Sequence, residues 1–219
     1  MKNRRSHSKI KVIANIFMVI TVFAAWGYMF TNKEPGALAS AGIMNLRYFT
    51  VLSNIAEGIV SLVWVILFLM KKSSDTIDRA KYVAAVSVAL TFATIAFFLG
   101  PIYGHLSMYQ GANFWFHLII PIIAMIEYIF AGGKVVGQKE NLIAVIPMLL
   151  YGCVYLVNVL IRGVEGNDWY GFVNWGLPIG ILIFAIMCLA TYGMGLVLRL
   201  LRAKVSKGDK VSSDTTSCD

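Results

Sequence analysis

The sequence predicts an all-α, polytopic membrane protein with six transmembrane helices and both termini on the cytoplasmic side. Three observations predict it. Of 219 residues 58% are hydrophobic and only 14% charged, so the charges must collect at the ends of long apolar segments. Six segments reach the roughly 20 residues needed to cross a hydrocarbon core of about 30 Å. The basic residues fall almost wholly on one side of those segments, as cytoplasmic loops require.

The predicted spans are Lys11 to Phe30, Asn45 to Met70, Tyr82 to Tyr103, Asn113 to Phe130, Leu142 to Ile161 and Val173 to Leu198. The links are too short for a further domain, so residues 1–202 read as one transmembrane domain and 203–219 as a mobile cytoplasmic tail with nothing apolar to bury. The opening "MKNRRSHSKIK" resembles a signal-peptide n-region, but the apolar run after it is long and no small-residue cleavage site follows. The first helix is therefore read as a retained anchor.

Of 19 basic residues, 16 lie in the N-terminal arm, the second and fourth links and the tail. These include Lys11, Lys71, Lys72, Arg79, Lys81, Lys134 and Lys139; only Lys33, Arg47 and Arg162 fall opposite. This asymmetry accounts for the net charge of +8 as a topology signal and a contact for anionic lipid headgroups, with no nucleic-acid partner. Cys153, Cys188 and Cys218 have neither paired spacing nor a metal-ligand pattern. No metal, cofactor or protein partner is expected.

The second span carries an unusual density of polar groups in "RYFTVLSN". At about 100° per residue, Ser53, Asn54 and Glu57 fall within roughly 60° of Thr50. On the fourth span His117, Pro121, Ala124 and Tyr128 share a face, with Glu127 displaced by roughly 80°. Tyr151, Tyr155, Asn158 and Arg162 align on the fifth. Counted along the helices, Thr50 and His117 lie about 7 to 8 Å below the outer boundary and Asn158 about 6 Å, whereas Glu57 and Glu127 lie near 18 and 21 Å. The polar residues thus divide into an outer set and a deeper carboxylate pair.

Ionisable groups at such depth are costly and face a cavity or a polar partner. His117 is therefore a candidate functional group, and Glu57 and Glu127 are expected to be protonated, hydrogen-bonded or bound to a cation. Thr50 and Ser53 alone would read as helix-packing hydroxyls. Arg47 reads as a headgroup contact, His7 and His105 as solvated, and Trp175 with Trp115 and Trp169 as an interfacial belt. Gly100 and Pro101 are expected to end the third helix, and Pro121 to kink the fourth beneath His117.

"RYFTVLSN", then "HLIIPIIAMIE" on another helix, then Trp175 and Pro178 in "WGLP", resemble the androgen-induced membrane hydrolases and their bacterial six-helix relatives. In those hydrolases a threonine in a Tyr-x-Thr-x-Leu stretch and a histidine ten residues before a Glu form the catalytic pair. The resemblance maps these roles onto Thr50 and His117, with Glu127 as the following acid. The Phe-Thr-x-x-Ser-Asn form, with Pro four residues after the His, is closer to the bacterial branch and implies a bacterial plasma membrane. The implied reaction is hydrolysis of fatty-acid esters of hydroxy fatty acids or similar acyl lipids, with the membrane lipid ester as substrate.

Ten helical residues put Glu127 about 15 Å from His117 along the axis, so Asn54 or Asn158 is the better candidate for orienting the imidazole or serving the oxyanion. Arg47, Ser53, Glu57, Tyr155 and Trp175 complete the supporting set. Two other functions remain open: an ion-coupled carrier or receptor for a small amphiphile, using Glu57 and Glu127, and a structural protein whose polar stripes only pack helices.

Overall fold

The computed structural model describes residues 2–31, 42–133 and 135–215, with side chains from Ile10 through Lys207 in those ranges. Lys33, Lys134 and Cys218 lie outside the described residues, as does the side chain of His7. Six helices are long and apolar enough to cross a membrane, and no strand occurs among the described residues. The chain is an integral, multi-pass membrane protein on that evidence of length and composition. The helices are α1 (Lys2–Thr31), α2 (Phe49–Leu69), α3 (Asp75–Tyr103), α4 (Ala112–Ala131), α5 (Gln138–Arg162) and α6 (Leu177–Thr215).

The third helix is the axis of the bundle. In its most apolar stretch 61% of the residues are buried, against 22 to 39% in the other five helices. Its sequence explains this: Ala84, Ala85, Ser87 and Ala89 are small and buried, so neighbouring backbones close on it from several sides. Gly58 does the same between α1 and α2, because a Cβ there would stand 2.8 Å from Val22 Cγ1. Residues such as Ile161 and Leu189 point outward, 77% and 72% exposed, as lipid-facing positions should.

Two apolar clusters fill the bundle. One, at the distal end, gathers Val22, Met29, Phe49, Leu90, Phe116, Tyr155, Tyr170 and Phe172. The other, at the basal end near both chain termini, gathers Met18, Tyr82, Val86, Ala124, Tyr128 and Leu198.

Four helical details depart from the expected spans. Pro101 does not end α3; a π-helical turn at Ile95–Leu99 precedes it, and the helix runs on to Tyr103 before Gly104 stops it at φ +88°. A second π turn, Trp115–Ile119, precedes Pro121. A proline ring collides with the carbonyl four residues back, and widening the turn makes room for Phe97 and His117 carbonyls respectively. In α5 the regular helix breaks at Ala144 and Val145, just before Pro147. Finally, α6 remains helical to Thr215, past residue 203 where the tail was expected to begin.

Candidate functional site

Two polar centres lie inside the bundle, one near each end. At the distal end a short 3₁₀ segment, Gly42–Arg47, leads to an extended Tyr48 (φ −89°, ψ 131°), and α2 starts at Phe49. The span expected from Asn45 thus begins later, and Thr50 sits in the first turn of its helix rather than in the second. Tyr48 supplies no side-chain cap. The phenol of Tyr170, from the loop between α5 and α6, accepts the Phe49 N–H at 3.0 Å instead.

The Tyr170 hydroxyl is also hydrogen-bonded to the side chains of Thr50 and Tyr151. Burial pushes the Tyr170 phenol up to about 12, although the bonds from Tyr151, Phe49 and Thr50 pull the other way, so it keeps its proton at any physiological pH. Thr50 therefore stands at the N-terminus of a 21-residue helix, where backbone N–H groups lack intrahelical partners and the helix dipole favours negative charge.

His117 lies in the middle of the π turn of α4 and is 6% exposed. Its Nδ1 is 2.5 Å from the carbonyl oxygen of Met108, at the end of a short helix, His105–Met108, in the link before α4. A carbonyl can only accept, so Nδ1 carries the proton and Nε2 is the basic nitrogen of the neutral ring. Asn54 Nδ2 donates both to the Thr50 carbonyl at 2.8 Å and to the Phe116 carbonyl at 3.2 Å. The two bonds end to end keep those carbonyls within about 6 Å, which ties the first turn of α2 to the residue beside His117.

The remaining expected residues divide clearly. Ser53 Oγ is 3.1 Å from the Thr50 carbonyl and 3.1 Å from Thr91 Oγ1, so it links α2 to α3. Arg47 does not reach outward for headgroups: it donates to Tyr48 Oη at 3.0 Å and packs over the rings of Tyr48 and Trp169. Tyr155 donates to Asp168, whose other oxygen takes the Val173 N–H at 2.9 Å, fastening the α5–α6 loop over the distal end. Asn158 is half-buried on α5 and takes no part in these bonds. Trp175 lies in the loop before α6 and is 62% exposed. The imidazole is thus oriented by the Met108 carbonyl, the role sequence reasoning gave to Asn54 or Asn158.

The basal centre is charged. Lys81 donates to Glu57 Oε1 and to Ser61 Oγ at 3.0 Å, and lies 3.5 Å from Glu127 Oε2. Glu127 Oε1 accepts from Asn15 Nδ2 at 3.3 Å and stands 3.9 Å from Lys11 Nζ, which also pairs with Asp78 at 3.5 Å. Glu57, Ser61 and Asn15 are fully buried, Lys81 is 3% exposed and Glu127 4%. Lys81, read as a link residue and topology signal, is inside α3, because Ser74 caps that helix seven residues earlier and the two glutamates neutralise the charge. Of the states expected for the deep carboxylates, protonated, hydrogen-bonded or bound to a cation, the contacts show the last two, and the cation is the chain's own lysine.

Sequence reasoning missed Tyr170, Asp168 and Met108 at one centre and Asn15, Ser61, Lys81 and Lys11 at the other. The aromatic density of "DWYGFVNW" was the one available signal for the loop. No family model matches the chain, and no curated protein or solved structure is similar to it.

Proposed function

We propose that the chain is an integral-membrane ester hydrolase, with Thr50 as nucleophile and His117 as general base, acting on fatty-acid esters of hydroxy fatty acids or similar acyl lipids. One observation carries the reading: the backbone carbonyl of Thr50, in the first turn of α2, is joined through Asn54 to the backbone beside a buried histidine whose Nδ1 is held as a donor by Met108. The resemblance of "RYFTVLSN" and "HLIIPIIAMIE" to the androgen-induced membrane hydrolases and their bacterial relatives adds the substrate class.

In this mechanism Nε2 of His117 takes the Thr50 proton as Oγ forms a bond to the ester carbonyl carbon. The charge that develops on the carbonyl oxygen is stabilised by the Thr50 N–H, since those of Phe49, Val51 and Leu52 are taken by Tyr170 and the Tyr48 carbonyl, and by the Tyr170 hydroxyl. Collapse of the tetrahedral species expels the alcohol, which takes the proton from His117, and leaves an acyl group on Thr50. Water, deprotonated by the same imidazole, then attacks the acyl carbon, and the acid leaves as the bond to Thr50 Oγ breaks and Oγ takes the proton back from His117. Glu127 has no part in this, since it is engaged with Lys81 and Asn15. That engagement also counts against the carrier reading, whose acids must exchange their partners freely.

The charge partition supports cytoplasmic termini, and with the bacterial resemblance it supports a bacterial plasma membrane. A cysteine placed at Lys139 should then label only from the cytoplasm, and one at His105, which is exposed, only from outside. The function is tested with a fluorophosphonate probe on purified protein, which should modify Thr50 and fail on His117→Ala. Undiminished ester cleavage by Thr50→Ala, with contaminating lipases excluded, would remove the mechanism.

A further inference from the structure

The basal centre is one proton short. A lysine ammonium has three hydrogens to give, and those of Lys81 are taken by Glu57 Oε1, Ser61 Oγ and Glu127 Oε2. Both amide hydrogens of Asn15 are also taken, by the Lys11 carbonyl at 2.8 Å and by Glu127 Oε1. Two fully buried acceptors, Glu57 Oε2 and Asn15 Oδ1, are left without a donor. Turning the amide over does not help, because it would place an oxygen against both of the acceptors that Asn15 now satisfies.

The charge count agrees with the hydrogen count. Glu57, Glu127 and Asp78 face Lys11 and Lys81, which leaves one negative charge in excess. Lys72, in the link between α2 and α3, lines the same cavity as Asp78 but is exposed and is paired with none of the three carboxylates. On α5, Glu140 is paired with Arg79 at 3.5 Å; on α6, Arg202 is bound to the carbonyls of Ile129, Phe130, Gly132 and Gly133. An unpaired carboxylate oxygen in so dry a place is strongly penalised. A second metal-like cation beside the Lys81 ammonium would be repelled, whereas a proton removes the charge without adding one next to it.

We propose that this cluster is a one-proton binding site within the membrane, with Glu57 as the acceptor, loaded from the basal end. The route is the cavity of about 240 Å³ lined by Lys11, Trp64, Lys72, Ser74 and Asp78. Asp78 is partly open to solvent and pairs with Lys11, which in turn stands beside Glu127. A proton from water at the basal surface reaches Glu57 through these groups and Lys81, which stands between Glu127 and Glu57; each group takes up one proton and gives up another, so the net change is one O–H bond formed at Glu57 and one broken in the hydronium donor. Because the site opens to one side, it reports the acidity of that side rather than carrying protons across. It is independent of the ester chemistry at Thr50.

Infrared difference spectroscopy of the full chain in nanodiscs tests this through the protonated-carboxyl band. Wild type should show one such carboxyl per chain at neutral pH, Glu57→Gln none, and Lys81→Met two, since the number of protons follows the excess of carboxylates over lysines. Asp78→Asn should slow the exchange of the band in heavy water. Absence of the band in wild type, or its persistence in Glu57→Gln, overturns the proposal even if Lys81→Met fails to fold. Sodium-dependent stabilisation without a protonated carboxyl would also overturn it, as a metal-cation site. An exchange rate unchanged in Asp78→Asn would refute the basal route.

Discussion

The two centres of this bundle solve the problem of polarity in lipid in opposite ways. The distal one is neutral and depends on irregular backbone: an extended Tyr48, a π turn around His117, a loop phenol capping α2 and a carbonyl from a short link helix. The basal one is charged and is built by side chains of α1 to α4 that pair with one another, all on regular helix except Glu127, which opens a π turn at Glu127–Ala131. Groups that are needed for chemistry must keep a free lone pair or proton, and irregular backbone can orient them without consuming that capacity. Groups that hold helices together can be saturated. The difference agrees with the proposal that the distal centre is the reactive one, and it leaves the basal centre as a fastening with two unpaired acceptors, Glu57 Oε2 and Asn15 Oδ1.

Substitution should separate the two. The largest loss of stability is expected for Lys81→Met, which strands Glu57 and Glu127; breaking one side of a buried pair costs about 3–5 kcal/mol. Thermal unfolding in nanodiscs would show it, and Lys81→Met with Glu57→Gln should recover part of the loss. Equal stability of Lys81→Met and wild type would dissolve the distinction between the centres.

His117→Ala reverses the pattern. Ester turnover should fall by roughly 10²–10⁴-fold, the usual contribution of a general base, while the unfolding temperature changes little. Thr50→Ser should keep measurable activity because it retains the hydroxyl, and Glu127→Gln should leave turnover nearly intact. A severe kinetic defect in Glu127→Gln would join what the comparison keeps apart.

Smaller effects are expected from the loop. Tyr170→Phe loses the cap on Phe49, about 1 kcal/mol by the usual worth of a hydrogen bond, and lowers turnover by removing a donor near Thr50. Because the buried phenol is raised from 10.0 to about 12, the folded state binds its proton more tightly than the unfolded chain does. That contribution is full below pH 10 and is lost as pH rises to about 12, so Tyr170→Phe should blunt part of the alkaline destabilisation seen in pH-dependent melts. Asp168→Asn is the mildest, under about 1 kcal/mol, and should show as faster amide exchange at Val173 with the helices unchanged.

What was legible in the sequence follows from which forces act locally. Six spans and the stripe Thr50, Ser53, Asn54 and Glu57 could be read because hydropathy and a 3.6-residue period are properties of a short window. The start of α3 could not, since a charged Lys81 looks like a boundary until Glu57 and Glu127, on two other helices, are known to meet it. Pro101 misled for a related reason. Its clash with the carbonyl of Phe97 is local, but its relief by a π turn depends on what packs around α3. The Tyr170 cap joins residues 121 positions apart, beyond any pattern of spacing.

The π turn at Trp115–Ile119 has a consequence for how such a chain can change over time. One extra residue in a helix rotates everything on one side of it by about 100° relative to the other. Ala124 and Glu127 keep their register against α1 and α3, while His117 takes an orientation that an unbroken helix would deny it. A lineage that lost a single residue here, Leu118 for example, would keep its six helices and its basal ion pairs, yet its imidazole would face another way. Under the proposed mechanism, reactivity in this architecture is gained or lost by one codon, with the fold as a bystander.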